Sequence, residues 1–313
     1  MSTIGSYLGW KNETTQNTRA VPDKFVGLLQ ESLRETVNPI VDNAIYAGRR
    51  MPVNFSDGPR TAGGSVRVPL TAETLVTAMQ QCVGGTIATS GPASGVYTHV
   101  LTPGALPSAT YQKVLVDSGG NAQVFEYPGS MVDAWSVTQN SGQRAELQLD
   151  VFSYFEDDGQ SAVTAAYDAA PTFMTFRHLA VDIGGTTVCP DSFTLSGRNG
   201  LDRNFKSCAA DAGRATIREM TSKREVTLNI PRDFPGVAEH AKRKAGTAVS
   251  VSAGWTNGDS TITFTGQGYL MGDTATVSGP DQMLKETLQI RLFHGTADAS
   301  ALTVTVENDE ATP

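Results

Sequence analysis

Four histidines, three cysteines and a few acid pairs are the residues of this 313-residue chain that could carry out bond-making chemistry. Acyl or phosphoryl transfer through a side-chain nucleophile needs a base beside it and an acid that orients the base. His99, His178 and His294 lie in strand-like runs and His240 on a charged helical stretch, each without a complementary neighbour in sequence. Cys82 continues the apolar face of a helix, Cys189 precedes Pro190 in a turn, and Cys208 falls in a loop, so the tight four-ligand spacing of a zinc site is missing. Gly84-Gly85-Thr86 and Gly184-Gly185-Thr186 lack the Lys-Ser/Thr tail of a phosphate loop. Asp157-Asp158 and Asn257-Gly258-Asp259 fall short of the full oxygen-ligand loop that calcium needs. The expectation is no catalytic residue, no metal and no cofactor.

Arginine offers a different chemistry, because its guanidinium makes forked bonds to a partner's carboxylates. Arg49, Arg50 and Arg60, with Asp57, lie in a Gly/Pro-rich stretch from Asn38 to Ser65, and Arg214 and Arg218 lie in a second such stretch. Solubilising surface charge is the alternative reading, and the matched places in the two stretches raise partner contact to equal standing.

The elements that must position these groups follow from periodicity. Residues Met1 to Lys24 read as a polar arm, and Phe25 to Val37 and Val66 to Leu70 as strands on either side of the first long loop. Thr71 is placed to cap a helix whose Leu75, Val76, Met79 and Val83 recur at helical spacing, with Gly84-Gly85 as its stop. Strands are expected at Val96 to Leu101, Tyr111 to Asp117, Ala122 to Glu126, Met131 to Thr138 and Arg144 to Phe155. Glu156 to Pro171 carries turn formers and an Ala-rich run without periodicity, which marks a boundary. Beyond it, strands are expected at Met174 to Asp182, Phe193 to Leu195 and Val226 to Ile230, then a helix over Asp233 to Lys244 stopped by Gly246. An Asn257-Gly258 hairpin follows between Val249 to Ala253 and Thr261 to Thr265, with strands at Thr274 to Ser278, Glu286 to Phe293 and Leu302 to Val306.

The two halves therefore repeat one order of elements. Leu147-Gln148-Leu149 answers Leu288-Gln289-Ile290 at an offset of 288 − 147 = 141, and Met131-Val132-Asp133 answers Met271-Gly272-Asp273 at 271 − 131 = 140. Earlier, Val66 answers Val226 at 226 − 66 = 160, and about twenty extra residues in the first half fit the Gly/Pro/Ser-rich stretch from Thr89 to Ala109. The division drawn from this is residues 1–158, a linker over 159–171, and residues 172–313. Composition agrees with a strand-rich globular protein, at 18% charged residues and 31 Gly. A net charge of −8 argues against a surface that grips nucleic acid or anionic membrane. Three cysteines in no disulfide pattern, no secretory signal pattern and no apolar run of spanning length point to synthesis in a cytoplasm.

The opening Ile4-Gly5-Ser6-Tyr7-Leu8-Gly9-Trp10-Lys11-Asn12-Glu13-Thr14-Thr15-Gln16-Asn17-Thr18, with Glu31 to Asn38, Ala47-Gly48-Arg49-Arg50 and Gln123 to Val132, resembles tail tube (major tail) proteins of long, non-contractile-tailed bacteriophages. The resemblance implies a mainly β protein of two tandem tail-tube-type β-sandwich or barrel domains, each with one short α-helix and a long loop. It further implies a non-enzymatic virion protein, made in the bacterial host cytoplasm, whose rings stack into a conduit for DNA ejection. The long loops, Asn38 to Ser65 and Ala209 to Arg224, would reach the neighbouring ring. With two units per chain, a trimer of pseudo-six-fold symmetry closes the ring, and tape measure and terminator are its tail partners. DNA passes through the lumen without specific binding, repelled by like charge, and no membrane is involved. The alternating strands offer polar faces as lumen candidates: Glu146, Gln148 and Asp150 in the first half and Thr287, Gln289 and Arg291 in the second, with outer solvent or another subunit as alternative surroundings. A tail terminator or baseplate hub of the same fold is the nearest rival. A β-sandwich carbohydrate-binding or adhesion module is a more distant one, since Trp10, Trp135 and Trp255 are scattered.

A purified sample is expected to turn over nothing in a broad panel of esters, phosphates and glycosides. Turnover abolished by one Cys or His substitution would contradict this.

Overall fold

A computed structural model describes residues 5–42, 48, 51, 55–168, 171–205, 213–220, 224–276, 283–293 and 301–313, and of 273–276 the backbone only. The fold is mainly β. The first half contributes β1 (Tyr7–Asn12), β2 (Lys24–Val26), β3 (Gln30–Glu31), β4 (Arg34–Val37), β5 (Ile40–Val41), β6 (Phe55–Ser56), β7 (Arg60–Pro69), β8 (Ile87–Ala93), β9 (Val96–Leu101), β10 (Ala109–Val116), β11 (Ala122–Asn140) and β12 (Glu146–Ser153). The second contributes β13 (Leu179–Ile183), β14 (Thr186–Val188), β15 (Ser192–Arg198), β16 (Asp202–Phe205), β17 (Ala215–Arg218), β18 (Glu225–Asp233), β19 (Ala248–Asn257), β20 (Ser260–Thr276), β21 (Lys285–Phe293) and β22 (Leu302–Asn308).

The helix α1 (Ala72–Val83) begins after Thr71 as its periodicity predicts. Thr71 has the extended backbone of a cap, but its hydroxyl bonds Thr74 Oγ1 at 2.7 Å rather than a backbone N–H. Gly84, at φ 70, ends the helix, and a Cβ there would lie 2.4 Å from Ala105 O. Leu75, Val76, Met79, Cys82 and Val83 are buried, so Cys82 is a core residue. The second helix, α2 (Ala238–Ala245), starts five residues later than the sequence suggests. The strand β18 runs on to Asp233, and Gly236 at φ 140 lies outside helical geometry, so the helix opens only at Ala238. A buried ion cluster ties α2 to the sheet, with Arg232 Nη2 2.7 Å from Glu286 Oε1 and 3.2 Å from Glu239 Oε2.

Strand pairing repeats between the halves. β7 pairs β12, β12 pairs β11, β11 pairs β10 and β10 pairs β1. Likewise β18 pairs β21, β21 pairs β20, β20 pairs β19 and β19 pairs β13. In both sets a helix follows the first strand. Within the ladders the residue register departs from the sequence match: Leu147 opposes Val137 and Leu288 opposes Asp273, an offset of 273 − 137 = 136 rather than 140. One-residue bulges, at Asp133 in β11 and Met271 in β20, lie at different heights; between them the offset is 270 − 135 = 135, and beyond both it returns to 136, so the bulges cancel and the four-residue difference remains.

Several segments read from sequence change length. Ala122 to Glu126 and Met131 to Thr138 are one strand, β11, continuous through Pro128 and Gly129 (φ 65), because Tyr154 N donates to Pro128 O. Phe25 to Val37 is three short strands instead of one, and Met174 to Asp182 opens with a 3₁₀ turn at Phe176–His178 before β13. Asn38 to Ser65 is not structureless: it holds the β5–β6 ladder and the first half of β7. The Asn257-Gly258 hairpin forms, with Gly258 (φ 63) and Asp259 as the two turn residues between Asn257 and Ser260.

The core lies against one face of the sheet. Val66 and Val68 of β7, Leu147, Leu149 and Val151 of β12, Trp135 and Val137 of β11, Leu195 of β15, Leu228 and Ile230 of β18, and Leu288 and Ile290 of β21 are all buried. The sheet crosses 159–171 without a break, because β11 pairs antiparallel with β15 from Ala134↔Arg198 to Asn140↔Ser192. At that crossing the Trp135 indole lies over Gly197, where a Cβ would sit 2.2 Å from the ring. Gly197→Ala should therefore lower unfolding free energy by roughly 1–3 kcal/mol, as overpacking of a core does. A denaturation midpoint equal to that of the parent would show that Trp135 does not need the glycine.

Candidate functional site

On the sheet face opposite the core, polar residues from both halves form one continuous surface. The ladders place Arg67, Gln148, Ser136, Ser196, Thr227, Arg291 and Tyr269 in a single lateral row across seven strands. Glu146, Thr138, Thr194, Asn229 and Gln289 form the next row, and Asp150, Ala134, Arg198 and Glu225 flank the first on its other side. Thr287 extends the same face opposite Pro231. All six residues chosen from alternation therefore share one face of one sheet, although they come from strands four ladders apart. Gln148, Gln289 and Arg291 are exposed, and Glu146, Asp150 and Thr287 are half-buried.

Its charges are close to balance. Arg34, Arg67, Arg198, Arg203, Arg291 and Lys285 stand against Glu146, Asp150, Glu225 and Asp233 among the described residues, an excess of 6 − 4 = 2 cations. Arg67 Nη1 is 3.5 Å from Glu146 Oε2, and Arg291 Nη2 donates to Glu225 Oε1 at 2.5 Å. Between them the short side chains of Ala134, Ser136, Ser196 and Thr227 floor a shallow hollow beside Arg198. The negative charge of the chain thus sits elsewhere.

The loop candidates behave differently from one another. Arg49 and Arg50 lie outside the described residues. Asp57 is exposed next to β6, but Arg60 is the first residue of β7, and Arg218 is the exposed last residue of β17 rather than part of a loop. Arg60 and Arg214 meet in a parallel bridge, with Arg60 N donating to Gly213 O at 2.9 Å. The two segments therefore share a root, and their arginines are engaged inside the chain: Arg60 with Glu35 at 3.9 Å, and Arg214 with its guanidinium 4.2 Å from the centre of the Phe155 ring. Sequence reasoning missed Arg203, which stacks 3.5 Å above Phe152 and donates to Ala62 O at 2.8 Å. Burial pushes its guanidinium pKa down, with Asp133 acting the other way.

What the β5–β6 arm does present is apolar. Ile40 is 58% exposed, Phe55 62% and Met51 83%. Hydrophobic side chains this exposed on a two-stranded arm mark a contact surface.

Three of the four histidines first weighed for catalysis are engaged inside the fold. His99 is fully buried, with Nδ1 2.9 Å from Thr89 Oγ1 and Nε2 3.0 Å from both Asn308 Oδ1 and Glu310 O, which holds the C-terminal segment. His178 Nδ1 accepts from Thr175 N in a capping box, and His240 neighbours Arg243 at 3.0 Å. Cys189 is exposed, and Cys208 and His294 lie outside the described residues. Among the described residues no group of His, Cys, Asp and Glu is placed to hold a metal, and no helix is long and apolar enough to cross a membrane.

A search of curated proteins finds no match to the chain. The family model described as phage tail tube protein matches residues 3–308, nearly the whole chain, and the family is a structural component of the virion tail rather than an enzyme family. The chain belongs to the phage tail tube protein family.

Proposed function

We propose that the chain self-assembles into rings that stack into the tail tube, and that DNA leaves the capsid through their lumen. The single observation that carries this reading is the shared polar face: Glu146, Gln148 and Asp150 join Thr287, Gln289 and Arg291 on one side of one sheet whose other side is core. A duct for a polyanion needs a wetted wall that neither traps nor strongly repels phosphate. Every unpaired cation would add affinity through counterion release. Here Arg67 and Arg291 are matched by Glu146 and Glu225, and most other positions are Ser, Thr, Asn or Gln. The wall is near neutral, so DNA slides by weak interaction and not by like-charge repulsion.

The repeated pairing order supports two equivalent units per chain, 1–158 and 172–313 with 159–171 as linker. Three chains then supply six units, and the ring has exact three-fold and approximate six-fold symmetry. The β5–β6 arm, with Asp57 beside it, Arg49 and Arg50 between its strands in sequence and Arg218 of β17 across the shared root, reaches the neighbouring ring. The tape measure occupies the lumen before ejection and the terminator caps the last ring.

An averaged cross-section of tubes should contain three chains per ring; six whole chains would overturn the two-unit reading. Ile40→Asp combined with Phe55→Asp removes only exposed apolar surface. It should leave the melting temperature within about 2 °C of the parent, as surface substitutions do, while rings no longer stack. Tubes of ordinary length from that variant would remove the arm from the stacking contact.

A further inference from the structure

The polar-faced sheet has two open ends. With β3 and β4 taken as one edge, its order is β3/β4, β7, β12, β11, β15, β18, β21, β20. At the far end, β20 pairs β19 only as far as Tyr269, so from Gly272 to Thr276 its one ladder among the described residues is with β21. In the first half the matching stretch of β11 is not free: β15 lies against it. The halves thus differ at this edge, and the first half shows how it is filled.

Counterparts can be traced residue by residue. Gln148 and Gln289 match in sequence, and their partners on the next strand are Ser136 and Gly272. Asp150 matches Arg291, and their partners on the other side are Ser65 and Thr227. Thr227 pairs Ser196, and Ser65 O accepts from Ser32 N at 2.9 Å. So Ser136 corresponds to Gly272 and Ser196 to Ser32. Inside the chain, Ser136 opposes Ser196.

We infer that Gly272 to Thr276 of one copy adds antiparallel to Leu28 to Ser32 of the next, with Gly272 opposite Ser32, as the chain-to-chain junction of the ring. The inference rests on the ring reading above and names its lateral contact. Three further observations agree with it. The edge at Ser32 is closed just beyond by the chain itself, since Lys113 Nζ and the Tyr127 hydroxyl reach Leu33 O at 2.5 and 2.9 Å and Glu35 N donates to Glu156 Oε2 at 3.0 Å; the free stretch lies where the new strand would run. Beside it is an apolar groove lined by Phe25, Leu28, Leu29 and Tyr167, with Leu29 47% exposed, while β20 and the approach to β21 bring Met271 (56%) and Met283 (72%). Finally, β20 carries neither Pro nor Lys from Gly272 to Thr276, whereas the outer strand β8 is protected by Pro92. Each copy then offers one donor edge and one acceptor edge, a heterologous contact that closes into a ring.

The test uses the full chain with Cys189→Ser and Cys208→Ser. Adding Gly272→Cys and Ser32→Cys should let oxidised rings run as covalent multimers ending at three chains, while either single cysteine does not. The nearest atom to a Cβ at Gly272 is Gln289 Oε1 at 3.6 Å, so the site accepts the side chain. As a second measurement, Ser32→Cys alone, labelled with a bulky maleimide before assembly, should keep the monomer folded and lower ring yield roughly tenfold or more, the effect of about 1.4 kcal/mol lost per contact. Rings that assemble normally with label at Ser32, or whose cysteine pair stays uncoupled to oxidant and to a short thiol cross-linker, overturn the junction and leave the ring reading standing. A parent that forms no ring takes both down.

Discussion

The antiparallel ladder between β11 and β15 is the contact on which the rest depends. Seven residue pairs join a strand of the first half to a strand of the second, and the peptide groups on the facing edges of β11 and β15 find their ladder partners across that boundary. Backbone groups removed from water without partners cost more than most side-chain contacts return. The crossing therefore determines how the halves are held, and it turns two half-sheets into one wall with a polar and an apolar side. Trp135 over Gly197 fills the core at the same point, so hydrogen bonding and packing constrain the same pair of strands.

Two long strands make this possible by changing partners along their length. β11 pairs β10 over its first part and β12 with β15 over its last; β20 pairs β19 and β22 first and β21 afterwards. Each carries a bulge beside the change. An extra residue there strengthens local twist and lets one strand belong to two differently directed parts of the sheet. The N-terminal arm is then clasped to this frame by charge. Arg19 grips the buried Glu126 carboxylate, and Glu13 accepts from Ser108 Oγ, Thr110 Oγ1 and Gly129 N. Buried carboxylates need such partners, and they hold the arm in one place.

Charge is distributed unevenly over the surface. The polar face is near neutral although the chain carries −8 overall, so net charge does not describe this face. Arginine counted along the sequence misleads in the same way: Arg60 and Arg214 are engaged at the root of the two segments, while the exposed groups of the arm are Ile40, Met51 and Phe55.

Local chemistry determined much of this protein. The alternation of Glu146 to Val151 and Thr287 to Leu292, the helix between Thr71 and Gly84, the hairpin at Gly258 and the family itself are all legible in order and spacing, because periods of 2 and 3.6 and turn glycines act over a few residues. Only the tertiary structure decided that the two alternating faces are one face, that Ala122 to Asn140 is one strand, that Arg60 meets Arg214, and that β15 covers the edge of β11 where, among the described residues, no strand covers that of β20. These depend on which strand lies beside which and in what register. A slip of four residues between Met131 and Met271 is invisible to pattern matching, because an even shift keeps every side chain on the same face.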